Sequence, residues 1–555
     1  MVTRRRFLRR SGAGVIGLAG AYLVACGGDS DGGSESAGSQ SSATAAPATP
    51  TTASAQATVP AGKPGGTFVL SGSDLQQLDF QKTISTPTQY ASSMVFSRLA
   101  SYDPYTDLNV YAMRPDLAES WEQTGDKIVF KLRQGVKWQD KAPLNGRELV
   151  ADDIKYSMQR VGSSGAEFVH AYKVEPIASI DTPDKYTVVL NLKQPSAALM
   201  SDLASGQGMG TVPREIIEED GDLNKRWVGT GPFMLDQWQK GSFIRYVKNP
   251  TYYKSGLPYL DVVETKFITD ASTNLANFLA GQLNFYIATG LEQADQIKKS
   301  TKAEVRTFPN LGGTHKLYNV GSKGAAPLRD LRVRQAIDLA IDRDQLLDLV
   351  LGGDGVWAAT FVPLGFGEWS QSDAEVRQAY AANPAEAKKL IEASGLKDVT
   401  IPVEYSNIDT FAQDEFPLLK QMLAKAGIEL QLKPLERTIY LQNQVDSDFN
   451  LMGIGMGAYP DPDNYLYPTF HSKGSKNYGQ VSDAELDTRI DKQRTILDYQ
   501  ERVAYLKELQ KDWKKYLYRT YTVNRNDHHA WQPNTAGRFV PKGWDYQGME
   551  AVSLT

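Results

Sequence analysis

The chain has 555 residues, 41% hydrophobic and 23% charged, with 60 Lys and Arg against 65 Asp and Glu. This is globular composition with apolar material for two or more cores. A net charge of -5 argues against a nucleic-acid partner, and a single cysteine excludes both a disulfide framework and a cysteine metal cluster.

At the N-terminus, Thr3-Arg4-Arg5-Arg6-Phe7-Leu8-Arg9 resembles a twin-arginine export signal, with Arg4 and Arg5 as the pair. The weakly apolar stretch from Ala13 to Ala25 is too short and too glycine-rich for a spanning helix. It ends in Leu23-Val24-Ala25-Cys26, which resembles a bacterial lipobox. Residues 1–25 therefore read as a signal peptide and Cys26 as the lipid-attachment site of an extracytoplasmic, membrane-anchored protein, in the periplasm or on the outer face of the cytoplasmic membrane. Loss of the five arginines of the signal takes the net charge from -5 to about -10. Residues 26–63 hold little beyond Gly, Ser, Ala, Thr and Pro and read as a disordered linker.

Order is expected from Gly65. Thr67-Phe68-Val69-Leu70 reads as a strand. Ile128, Phe130 and Leu132 alternate with polar residues, as do Tyr186, Val188, Leu190 and Leu192, and both runs suit half-buried strands. Between them Val150, Ile154, Met158 and Val161 have helical spacing. Further on, Val333, Ala336, Ile337, Ala340 and Ile341 form one helical stripe with Asp330 as N-cap. Pro384 and Gly395 bracket another helix, and Gly427 closes one that starts near Ala412. Ile428, Leu430 and Leu432 then alternate as a strand. Ser482 with Glu485, and Asp498 with Glu501, are spaced as capping boxes. The pattern is mixed α/β, and its length calls for at least two lobes.

Catalytic signatures are missing. No HExxH, phosphate loop or G-x-S-x-G elbow is present. His528-His529 reads as a solvated turn and not as a metal site, for want of a third ligand. Asp461-Pro462-Asp463-Asn464 lacks the spacing of a calcium loop and reads as a turn. No metal, cofactor or catalytic residue is expected.

Five blocks in order carry a family resemblance. Arg114-Pro-Asp-Leu-Ala-Glu-Ser-Trp121 runs on to Lys131-Leu-Arg-Gln-Gly-Val-Lys-Trp138 and to Ala151-Asp152-Asp153-Ile154. Gly229-Thr-Gly-Pro-Phe233 leads to Lys248-Asn-Pro-Thr-Tyr-Tyr253. Pro258-Tyr-Leu-Asp261, Leu331-Arg-Val-Arg-Gln-Ala336 and Tyr459-Pro-Asp-Pro-Asp-Asn464 follow. Together they resemble the family 5 extracellular solute-binding proteins of ABC importers, the oligopeptide, dipeptide and nickel-binding type. The resemblance implies a two-lobe periplasmic-binding-protein (type II, Venus-flytrap) fold with an extra inserted domain. Lobe one would be 64–97 with 229–319 and 523–555, the inserted domain 98–228, and lobe two 320–522. Trp121 and Trp138 would then be core residues. The implied function is capture of a peptide-like or other polar solute by a monomer and its delivery to membrane permease subunits. A secreted hydrolase or a ligand-sensing receptor on the same fold is the alternative.

For the site, the resemblance points to the segment before Asp461. Peptide-binding relatives carry a Trp where Gly455 stands and an Asp, partner of the peptide's α-ammonium, where Ala458 stands. The expected ligand is therefore an oligosaccharide, an N-blocked or larger peptide, or another solute without an ammonium. The implied ligand-facing residues are Gly455, Ala458, Tyr459, Asp461, Tyr405, Trp357 and Asn319.

Overall fold

The computed structural model describes residues 60–105, 111–165, 167–457, 459–540 and 545–555. Arg4, Arg5, Cys26, Ala458 and the linker as far as residue 59 lie outside the described residues.

Three sheets organise the described chain. The largest has eight strands. Along it lie Glu304–Pro309, Val523–Trp531, Phe285–Ala288, Thr67–Gly72, Val262–Phe267, Phe243–Lys248 and Phe233–Gln239, and Gly355–Trp357 pairs with Val523–Trp531. Thr67–Gly72 pairs in parallel with Val262–Phe267, its apolar Phe68 and Leu70 pointing inward. A five-stranded sheet runs Ile428–Leu435, Val399–Ser406, Leu451–Met456, Gly313–Tyr318, Arg519–Thr520. A four-stranded antiparallel sheet runs Ala118–Thr124, Lys127–Leu132, Thr187–Leu192, Ile177–Asp184.

Two short, direct passages carry the chain between the two larger sheets. Glu304–Pro309 belongs to the eight-stranded sheet and Gly313–Tyr318, three residues later, to the five-stranded one. Arg519–Thr520 and Val523–Trp531 make the reverse passage through Tyr521 and Thr522. Strand Gly313–Tyr318, within the stretch assigned to lobe one from sequence, thus hydrogen-bonds in the other sheet.

The elements follow the sequence pattern closely. Helix Leu331–Ala340 starts at Asp330, whose side chain accepts from the Arg332 N–H. Helix Pro384–Ser394 ends at Gly395, which takes the left-handed conformation at φ 72°. Trp121 and Trp138 are buried in the core between the eight- and four-stranded sheets. The motif Gly229-Thr-Gly has a packing cause: a Cβ at Gly229 would lie 1.9 Å from the Val95 carbonyl oxygen.

Two expectations need correction. The N-cap of helix Ala484–Thr495 is Asp483, not Ser482, because the Asp483 carboxylate accepts from the Glu485 and Leu486 N–H groups. His528-His529 is not a solvated turn. Both histidines sit buried in strand Val523–Trp531, where alternation sends them to opposite faces. His528 Nε2 pairs with Asp354 Oδ2 at 2.8 Å and Nδ1 with the Thr307 hydroxyl at 2.8 Å.

Candidate functional site

A cavity of about 770 Å³ opens between the two larger sheets. That volume suits a ligand of drug or short-peptide size. Both passages of chain between the sheets form its floor: Asn310 to Thr314 on one, Val523 to Arg525 on the other. Strand Val523–Trp531 continues along one wall with Asp527 and His529. The start of helix Thr410–Ala424 supplies the opposite wall with Asp409, Phe411 and Asp414. Tyr90, Tyr111 and Tyr546 line a third side, and Gly455 and Gly457 leave the end of strand Leu451–Met456 open.

Hydrogen bonds fix the floor. The Asn524 amide donates to the Asn310 carbonyl at 3.1 Å, tying one passage to the other. Gly313 is pressed against it, since a Cβ there would meet Asn524 Oδ1 at 2.4 Å. The side-chain Oδ1 of Asn524 itself has no hydrogen-bond partner, although Asn524 is only 2% exposed.

The walls are charged. Asp527 Oδ2 accepts from Asn310 Nδ2 at 2.7 Å, and its Oδ1 lies 3.3 Å from Arg525 Nε. Burial pushes the Asp527 carboxyl above its usual range, with Arg525 pulling the other way. Burial pulls the His529 imidazole down to about 3, so it is neutral at physiological pH. Asp409 caps helix Thr410–Ala424, accepting from the Ala412 N–H at 3.1 Å, and its other oxygen accepts from the Thr314 hydroxyl at 3.2 Å. Asp414 is exposed. The rim is apolar, with Ile287 and Ile408 on either lip. Three carboxylates against one guanidinium leave the cavity formally at -2.

Of the residues implied from sequence, Gly455 lines this cavity, and a Cβ there would project into open space. Ala458 lies outside the described residues, and the remaining ones are engaged elsewhere. Asp461 is buried in a two-bond pair with Arg502. Asn319 is fully buried, its amide donating to the Ser447 and Phe449 carbonyls. Tyr405 is buried against Phe416, stacked at 5.0 Å. Trp357 is buried, with Nε1 donating to Asp344 Oδ1 at 3.0 Å. Tyr459 is half-buried, edge-on to Tyr465, and its hydroxyl accepts from Lys476 at 3.2 Å. The cavity residues absent from the sequence reading, above all Asp409, Asp414, Asp527 and Arg525, come from segments more than a hundred residues apart. Asp409 had a local signal as a helix N-cap, which speaks of folding and not of ligand.

No group of three or more His, Cys, Asp or Glu side chains placed to hold a metal ion occurs among the described residues. No helix among them is long and apolar enough to cross a membrane.

Comparison with known proteins agrees with this architecture. Residues 112–477 match the model of the bacterial extracellular solute-binding proteins, family 5 (middle region). The oligopeptide-binding protein AppA of Bacillus subtilis is 27% identical over 528 residues, covering 88% of this chain and 92% of its own length. The dipeptide-binding protein of Escherichia coli is 28% identical over 458 residues, covering 77% and 83%. The solved structure of Bacillus subtilis AppA in complex with a nonapeptide superposes with a TM-score of 0.71 at 22% identity, covering 89% of this chain and 100% of that one. The fold is therefore the two-lobe, mixed α/β fold of the type II periplasmic binding proteins.

Proposed function

Since the chain belongs to the bacterial extracellular solute-binding proteins of family 5, we propose that it captures a peptide in the cavity between its two larger sheets and hands it to the permease of an ABC importer. The observation that carries this reading is the cavity itself: large, placed between two sheets, and floored by the two passages that connect them. A ligand touching both walls favours the closed arrangement by its differential affinity for closed over open. Binding without turnover needs no covalent step, and members of this family are binding proteins and not enzymes. The oligosaccharide and hydrolase readings draw no support from these relatives.

An ammonium-bearing peptide becomes the better fit. The missing Asp at position 458 removes one counter-charge, but Asp409, Asp414 and Asp527 supply others on both walls. Strand pairing also supports moving the first lobe crossing from residue 319 to between Pro309 and Gly313. The rest of the division stands as proposed: 64–97, the stretch from 229 and 523–555 in one lobe, 98–228 inserted, and the remainder up to 522 in the other.

Native mass spectrometry of purified protein, followed by calorimetry with di- to pentapeptides, tests the reading. A bound peptide mass or micromolar binding is expected. Absence of both, with binding of another solute class instead, overturns it. Membrane attachment through Cys26 and export through Arg4 and Arg5 belong to the same proposal. Cys26→Ala is expected to abolish fatty-acid labelling, and replacing the Arg pair by Lys to trap precursor inside the cell.

A further inference from the structure

We propose that the cleft selects peptides of net positive charge, with Asp409, Asp414 and Asp527 as the residues that set the selectivity. This rests on the reading of the cleft as a peptide site and adds the class of peptide it takes.

The first observation is the placement of charge. Asp409 and Asp414 stand on one wall and Asp527 on the other, with Arg525 the single cation among the described lining residues and His529 neutral. A solute between the walls therefore meets negative potential from both sides.

The second is how these carboxylates differ from the buried acids nearby. Asp461 is paired with Arg502, Asp463 with Arg494, and Glu415 with Lys316. Neither Asp409 nor Asp414 forms a salt bridge with any described residue. Their hydrogen bonds, where present, come from neutral donors. Asp527 has only the 3.3 Å approach of Arg525.

The third concerns unmet hydrogen-bonding capacity. Asn524, nine-tenths buried or more, is among the cavity-lining residues, and its side-chain Oδ1 has no donor. Asp527 Oδ1 likewise has no hydrogen-bond donor beyond the 3.3 Å approach of Arg525. Both oxygens are closed to solvent, so they act on a solute as unneutralised negative charge behind the wall and not as contact points, which favours a cation over an anion. An anionic side chain would meet carboxylates across a low-dielectric gap, and like-charge juxtaposition at an interface is strongly disfavoured.

The fourth is the apolar remainder. Tyr90, Tyr111, Tyr546 and Phe411 are aromatic side chains among the cavity lining. Aromatic lining of this kind suits the methylene stems of lysine and arginine side chains.

The test is calorimetry on the full folded protein with three peptides of equal length and free termini. They differ only at two internal positions, which carry lysine, glutamine or glutamate. The lysine peptide is expected to bind at least about tenfold more tightly than the glutamine peptide, and the glutamate peptide more weakly still. The preference should shrink as salt rises. It should fall in each of Asp409→Asn, Asp414→Asn and Asp527→Asn, and remain in the surface control Asp373→Asn. Equal affinity for all three peptides overturns the charge selectivity and leaves the peptide reading standing. A lysine preference unchanged in every variant overturns the assignment to these residues. Binding of none of the three at millimolar concentration overturns the peptide reading and this proposal with it. The wild-type series decides the first question even if one variant fails to fold.

Discussion

Arg502 grips Asp461 through two guanidinium nitrogens, at 2.7 and 2.8 Å, with both side chains buried. The same carboxylate accepts the Asp463 N–H at 2.8 Å, and the Asp461 carbonyl accepts the Asn464 N–H at 3.1 Å. The turn that leads into helix Asp463–Phe470 is thereby bolted to helix Tyr499–Lys511. Asp461 sits three residues past Ala458, beside the segment that ends at the cavity, yet its carboxylate faces inward.

Removing one partner of such a pair leaves a buried, uncompensated charge. Asp461→Asn should lower unfolding free energy by on the order of 3 kcal/mol, read by urea denaturation. Peptide affinity of the folded variant should change less than about twofold. A variant of native stability with tenfold weaker binding would return Asp461 to the ligand site.

The ionic cluster continues to Asp202, whose carboxylate accepts from Asn464 Nδ2 at 3.1 Å and lies 3.9 Å from Lys173 Nζ. Burial pushes the Asp202 carboxyl up to about 6, against the pull of Lys173, and burial pulls Lys173 down to about 8. An unfolded Asp titrates near 4. Between about 4 and 6 the folded chain therefore holds the proton that the unfolded chain has lost, so this group's contribution to stability falls as pH rises through that window. Asp202→Asn should flatten that fall. Urea midpoints at pH 4, 5, 6 and 7 for both proteins measure it, and parallel profiles would count against the assignment.

The elements were legible in sequence because each carries a local signal. Alternation marked Lys127–Leu132 and Thr187–Leu192, and caps marked the helices that begin after Asp330 and Asp498. The fold was legible through motifs with packing causes, such as Gly229 against Val95. The cavity was not. Asp409 and Asp527 meet because two chain passages bring strand Val523–Trp531 opposite a helix a hundred residues earlier, and no local pattern encodes that juxtaposition. Asp461, Tyr405 and Asn319 were near in sequence or family position but are occupied by packing.

Gly455 gives a direct probe of the cavity. A Cβ there meets nothing within 4 Å, so a large side chain would extend into the open space without displacing backbone. Gly455→Trp should weaken binding of any cavity ligand by tenfold or more, while stability moves by no more than about 0.5 kcal/mol, as for a surface change. Calorimetry paired with thermal unfolding checks both halves. Unaltered affinity would place the ligand elsewhere.

Beneath the cavity floor, Lys316 and Glu415 form a contact so buried that neither side chain is more than 2% exposed. Thr522, on the second chain passage, joins them: its hydroxyl lies 2.8 Å from Lys316 Nζ and 2.5 Å from Glu415 Oε1. Burial pulls the Lys316 pKa down, and Glu415 opposes that pull. The pair thus ties strand Gly313–Tyr318 to helix Thr410–Ala424, which carries Asp414 and is capped by Asp409. Lys316→Met alone leaves Glu415 unpaired and should cost about 3–5 kcal/mol. Adding Glu415→Leu removes the orphaned charge and should recover most of that loss, because an apolar pair of similar volume needs no counter-ion. A double-mutant cycle by urea unfolding measures the coupling. If the double variant is as unstable as the sum of the two single ones, the pair is not acting as a unit, and the tie between floor and wall lies in the surrounding packing.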